Sequence, residues 1–172
     1  MPNVAKSLLI DKVSIVPYYY VPDAIGKNYE KELQEYFGCA AFSWHGFHHE
    51  TSGVDLDEFQ KQLKKYNAGL SGIINDPYMP LSEEEYKVWF TDPVATVKTS
   101  RCLSPEKLID IQPNGDANFC VDFPDYSFGN VKSATIEELW NSEAAERFRQ
   151  LRRKQQLSAC YRCGAKYMSG NF

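Results

Sequence analysis

Four of the chain's five cysteines, Cys102, Cys120, Cys160 and Cys163, lie in its C-terminal part, and their spacing limits what that part can fold around. Cys160-Tyr161-Arg162-Cys163-Gly164 reads as a metal-binding knuckle. Two residues between thiolates let one tight turn aim both sulfurs at a common centre, and the glycine after them allows a backbone that turns amides toward sulfur. Cys102 and Cys120 stand before and after a hairpin signal. Leu108-Ile109-Asp110-Ile111 and Ala117-Asn118-Phe119-Cys120 flank the turn Pro113-Asn114-Gly115, where glycine tolerates the reversal of the chain. Antiparallel pairing would bring those two cysteines close. Four thiolates can close the coordination of Zn²⁺ or cap the four irons of a cubane cluster. In the first case the sulfurs stand under about 4 Å apart, in the second roughly 6–7 Å. A plainer reading makes Cys102 and Cys120 buried apolar residues and the knuckle a redox pair. It leaves four cysteines in a polar, turn-rich segment unexplained. Cys39 sits in an apolar stretch and reads as core.

The setting agrees with metal binding. Hydrophobic residues make up 43% of the 172 and charged ones 24%, as in a globular domain or two small domains sharing an interface. A net charge of −4 gives no global field toward nucleic acid or acidic lipid. Apolar runs such as Ser7-Leu8-Leu9-Ile10 are too short to span a bilayer, and Met1 to Lys12 lacks a secretory pattern. Cytoplasm is therefore expected, where disulfides are disfavoured and clustered cysteines bind metal or do chemistry.

Residues 1–100 alternate between strand and helix patterns. Strands are expected at Val13–Val16, Cys39–Trp44, Gly69–Ile74 and Val94–Val97. Helices are expected over Asn28–Phe37, over Asp55–Tyr66 with Leu56, Phe59 and Leu63 on one face, and from a Ser82 cap through Trp89. That order favours an α/β fold with parallel strands and helical crossovers. Beyond a boundary near residue 100 the hairpin is followed by a capping box, Thr135-x-x-Glu138, opening a helix that runs, kinked near Asn141, to about Lys154.

Cys102, twelve residues to Gly115 and four more to Cys120 resemble the opening motif of the SPASM domain, the auxiliary-cluster domain at the C-terminus of many radical S-adenosylmethionine (SAM) enzymes. Asp122-Phe123, Phe128-Gly129-Asn130-Val131, Glu138-Leu139-Trp140-Asn141-Ser142 and Phe148-Arg149 are similar to that family too. Residues 11–100 resemble, more weakly, the C-terminal half of the radical-enzyme βα barrel. Ser43-Trp44-His45-Gly46-Phe47 would be a strand end with its loop, and Pro80-Leu81-Ser82-Glu83-Glu84-Glu85 a loop and helix start. The resemblance implies a partial (half) βα barrel over 1–100, then a small β-hairpin-plus-helix cluster domain over 101–172. A complete SPASM domain carries three more cysteines after the knuckle, where this chain has Ser169 at the first such position. The set that remains is similar to the shorter twitch domain. By that analogy Cys102, Cys120, Cys160 and Cys163 hold one 4Fe–4S cluster, with zinc a substitute in isolated protein.

The resemblance implies the C-terminal portion of a radical SAM oxidoreductase or maturase, its auxiliary cluster serving electron transfer or substrate positioning. No CxxxCxxC spacing occurs. The chain is thus not expected to generate a radical or to contain catalytic residues, and SAM would bind only once the missing half-barrel is supplied. Expected partners are that half-barrel, a second copy meeting it through the open edge at Val13–Val16, or a redox protein. A non-catalytic zinc-binding or protein-interaction module is the alternative.

Three further groups carry weaker signals. His45, His48 and His49 could ligate a metal or exchange protons, although a histidine-rich loop is more often simply solvated. Tyr18, Tyr19 and Tyr20 could line a pocket, but strand-end packing with hydroxyls in water is the commoner arrangement. Arg147, Arg149, Arg152, Arg153 and Lys154 form either a solvated helix face or a surface beside the cluster for an acidic redox partner.

Overall fold

The fold begins with a parallel pair of strands joined through helices. A computed structural model describes residues 2–70, 72–75, 77–98 and 101–168. After helix α1 (Pro2–Ser7), strand β1 (Lys12–Val13) leads through α2 (Asp23–Phe37), a 3₁₀ turn at Ser43–Phe47 and α3 (Leu56–Gly69) to β2 (Ile74–Asn75). β1 and β2 pair in parallel, Lys12 opposite Ile74 and Val13 opposite Asn75. Helix α4 (Glu83–Thr91) follows. Its Ser82 cap accepts from the Glu85 amide while the Glu85 carboxylate accepts from the Ser82 amide, so the expected start holds. Asp55 likewise caps α3 through the Glu58 amide.

Among the described residues the half-barrel expected over 1–100 is reduced to this parallel pair and an isolated parallel bridge between Val21 and His48, and no barrel closes. The strand expected at Val13–Val16 stops at Val13, four residues before Pro17, which has no N–H to give a ladder. The Cys39–Trp44 run forms no strand, and its last two residues open the 3₁₀ turn. The Asp125 carboxylate accepts from the amides of Phe42 (2.8 Å) and Ser43 (2.9 Å), and this side-chain cap takes donors that a strand would offer a neighbour. The Gly69–Ile74 strand is shortened because α3 runs on through Gly69. Val94–Val97 forms no strand.

The C-terminal part follows its signals more closely. After α5 (Ser104–Lys107), β3 (Asp110–Ile111) and β4 (Asp116–Asn118) form the expected antiparallel hairpin, with Gly115 at φ +94° in the turn. A third strand, β5 (Gly129–Asn130), pairs with β4 on its other side. The helix expected to kink near Asn141 is two helices, α6 (Ile136–Trp140) and α7 (Glu143–Lys154). The Ser142 hydroxyl accepts from the Ala145 amide and so starts a new helix rather than bending the old one. A 3₁₀ turn at Ser158–Tyr161 and the short α8 (Ala165–Met168) complete the described chain, and Ser169 lies outside it.

One buried cluster joins Ile25, Tyr29 and Leu33 of α2, with Trp44, to Phe119, Phe123, Phe128, Leu139, Phe148 and Leu157. A second joins Met79, Tyr86, Trp89, Phe90 and Val97 to Tyr167. Both cores take residues from each side of residue 100.

Candidate cluster site

Cys102, Cys120, Cys160 and Cys163 all line one cavity of about 30 Å³ whose other walls include Tyr29, Phe119, Phe123, Leu157 and Ala159. Each cysteine arrives from a different local device. Cys102 lies two residues before α5. Cys120 follows β4, where the buried Asn118 side chain accepts from the Cys120 amide (2.9 Å) and donates to the Asp110 carboxylate (3.2 Å). Cys160 lies in the 3₁₀ turn, its amide bonded to Leu157 O (2.9 Å). That turn is fastened to α2: Glu32 accepts from the Ser158 amide (2.7 Å) and hydroxyl (3.1 Å). Cys163 comes just before α8, its thiol 3.4 Å from Asp122 Oδ2.

The same Asp122 oxygen accepts from the amides of Gly164 (2.9 Å) and Ala165 (3.2 Å). These amides were expected to face sulfur, and they close the knuckle through a carboxylate instead. Gly164 is needed for room. A Cβ there would lie 1.5 Å from the Tyr19 hydroxyl oxygen and 2.3 Å from the ring carbon that bears it. Tyr19 cannot easily retreat, since its ring packs on Phe47, Tyr78 and Trp89. Gly164→Ala should therefore cost about 1–3 kcal/mol by overpacking, read as an earlier unfolding midpoint. An unshifted midpoint would mean that Tyr19 yields freely.

Burial pushes the thiols of Cys120, Cys160 and Cys163 up, away from the thiolate form. Neighbouring sulfurs add to this, and Asp122 adds to it at Cys163. Two cations oppose it. Arg152 lines the cavity and favours thiolate at Cys120 and Cys160. Lys166, only 3% exposed, also lines it, and burial lowers its own pKa while the cysteines raise it. Among the described residues no three of His, Cys, Asp and Glu form a group that could hold a single metal ion.

The other candidates resolve separately. Cys39 packs at the edge of the core and does not line the cavity. His45 stacks on Trp44 (4.0 Å) and faces Glu30, His48 faces Asp23 and Glu50, and His49 packs against Tyr18. Of the three tyrosines only Tyr18 is exposed; Tyr20 is buried and donates to Phe90 O (3.1 Å). The basic stretch divides. Arg149 is buried against Trp140 and Phe119 and donates to Pro105 O and Trp140 O, both 2.8 Å. Arg147 covers Phe37. Arg153 and Lys154 are exposed at the end of α7, while the half-buried Arg152 lines both an outer groove with Cys102 and the cysteine cavity.

Three residues around the cavity had no role assigned from sequence: Lys166, Arg162 and Asp122, the last noted only as part of the Asp122-Phe123 motif. Arg162, inside the knuckle, is fully buried between Tyr20 (4.2 Å) and Trp89 (3.8 Å), and it donates to Tyr20 O and Trp89 O. An arginine between two cysteines reads as exposed, and only the aromatic runs Tyr18–Tyr20 and Trp89–Phe90 hinted at a cage for it.

Residues 102–164 match the family model of SPASM, an iron–sulfur cluster-binding domain. No curated protein and no solved structure matches the chain. No helix among the described residues is long and apolar enough to cross a membrane.

Proposed function

We propose that Cys102, Cys120, Cys160 and Cys163 hold one 4Fe–4S cluster, and that the chain serves as the auxiliary-cluster portion of a radical SAM oxidoreductase. The observation that carries this is a single cavity lined by all four cysteines within the stretch that matches the cluster-binding domain. The donor set fits the group: four thiols, apolar walls, and two cations to offset anionic charge.

When bound, such a cluster supplies one-electron redox chemistry. The chain's own residues prepare for it. The thiols give up their protons on ligation, at Cys120, Cys160 and Cys163 against a burial that favours the protonated form beforehand. Asp122 keeps Cys163 and the α8 amides in one arrangement, and α2 holds Cys160 through Glu32. With four thiolates committed, no ligand position is left for substrate, which favours electron transfer over substrate anchoring. The radical-generating CxxxCxxC would come from a further barrel segment. Leu8, Leu9, Val16 and Ile74 are exposed around β1 and β2 and give that segment an apolar edge to join. A reducing compartment such as the cytoplasm would keep the thiols available.

Anaerobic reconstitution with iron and sulfide, followed by visible absorbance, tests the reading. A broad brown absorption is expected. A colourless protein that takes up one zinc would replace this reading with a structural module. Lys166 gives a finer check. A buried cation stabilises the more negative, reduced cluster, so Lys166→Met should shift its equilibrium with a one-electron dye toward oxidised by about tenfold, 59 mV, while Lys166→Arg stays near the wild type. Equal potentials in all three would remove Lys166 from the account.

A further inference from the structure

The cysteine cavity has a second boundary, on the outer face of the molecule. An open groove of about 520 Å³ is lined by Arg101, Arg152, Arg153 and Lys154, with Glu106 the acidic side chain among them. Cys102, Pro105 and Arg152 line both the groove and the cysteine cavity, so these three residues form a wall common to the two. Arg101, Arg153 and Lys154 are exposed. Arg153 is held in place by Glu106 (2.9 Å) and Glu146 (2.9 Å). A locally positive surface on a chain of net charge −4 is an exception to its surroundings. It attracts a negatively charged partner and orients it with this face inward.

Resting on the cluster assignment above, we propose that this groove docks an acidic one-electron carrier protein, with Cys102 as the point of electron passage. With a cluster held by these cysteines, one electron would leave the reduced carrier, oxidising it by one unit, and would reduce the cluster by one; no proton or group would move. The opening at Cys102 favours a redox protein over other anions, because charge complementarity and closeness to the cluster coincide at one place. A surface serving only solubility has no reason to meet a cluster ligand.

The test separates docking from cluster chemistry. Plant-type ferredoxin, an acidic one-electron protein, is titrated by calorimetry into the chain with and without reconstituted cluster, and its reduced form is then mixed with the loaded chain in stopped flow. Binding is expected at low salt in both preparations, at least tenfold weaker in 0.5 M salt and at least tenfold weaker in Lys154→Glu and Arg101→Glu. The electron-transfer rate should fall in parallel, while photoreduction by a small deazaflavin stays unchanged. Absence of a cluster band would count against the cluster assignment, and salt- and charge-dependent binding would still support the groove. Affinity indifferent to salt and to both substitutions would overturn the proposal. So would inorganic phosphate occupying the groove while ferredoxin does not bind.

Discussion

Arg162→Ala should cost about 3–5 kcal/mol, a large share of the stability of a domain this size. The guanidinium is 0% exposed, and burial brings its pKa down only to about 10, so it enters the interior charged. Two aromatic faces and two carbonyls repay that. Removing the side chain leaves Tyr20 O and Trp89 O without their donor and forfeits the cation–π contacts, losses offset in part because the cost of burying the charge is also relieved. Arg162→Met fills the volume but leaves both carbonyls unpaired, so it should recover only part. Because Arg162 sits between Cys160 and Cys163, the variant should also load iron poorly. Chemical denaturation with parallel iron analysis checks both. Near-wild-type stability in the methionine variant would mean that volume, not donation, holds the knuckle against Tyr20 and Trp89.

Loss of the cluster is the second large effect. A ligand present at a thousandfold excess over its dissociation constant contributes about 4 kcal/mol to the folded state, and Cys120→Ala or Cys163→Ala should forfeit at least that. The damage should be uneven. Phe119, Phe128 and Phe148 belong to the core shared with α2, so β3–β5 and α6–α7 have apolar support without a cluster. The Arg101–Lys107 lead and the Leu157–Lys166 segment frame the cavity, and new protease cuts should concentrate there. Cuts spread evenly over the chain would show that the cluster holds up the whole core. An unchanged pattern would show that packing alone suffices.

Legibility followed the locality of each signal. Helix starts with their own caps, at Asp55, Ser82 and Thr135, were readable because donor and acceptor lie three residues apart. The hairpin was readable from Pro113-Asn114-Gly115 for the same reason. The N-terminal strands were not. A short apolar run such as Cys39–Trp44 suits a buried strand or a buried turn equally, and the deciding cap, Asp125, is more than eighty residues away. The cysteine spacing marked the site, but what holds the cysteines is long-range: Glu32 under Cys160, Asp122 behind Cys163, Arg162 gripping Tyr20 and Trp89. Lys166 looked like any surface lysine until α8 turned it into the cavity.

The central claim is that four named thiols hold one iron–sulfur cluster. Iron and acid-labile sulfide analysis of the anaerobically reconstituted chain, with each of the five cysteines changed to alanine in turn, tests it most directly. The account predicts the iron and sulfide of one four-iron cluster per chain in wild type and in Cys39→Ala, and loss of most of both from the Cys102, Cys120, Cys160 and Cys163 variants. Full loading without Cys102 or Cys160, or loss of loading in Cys39→Ala, would contradict it.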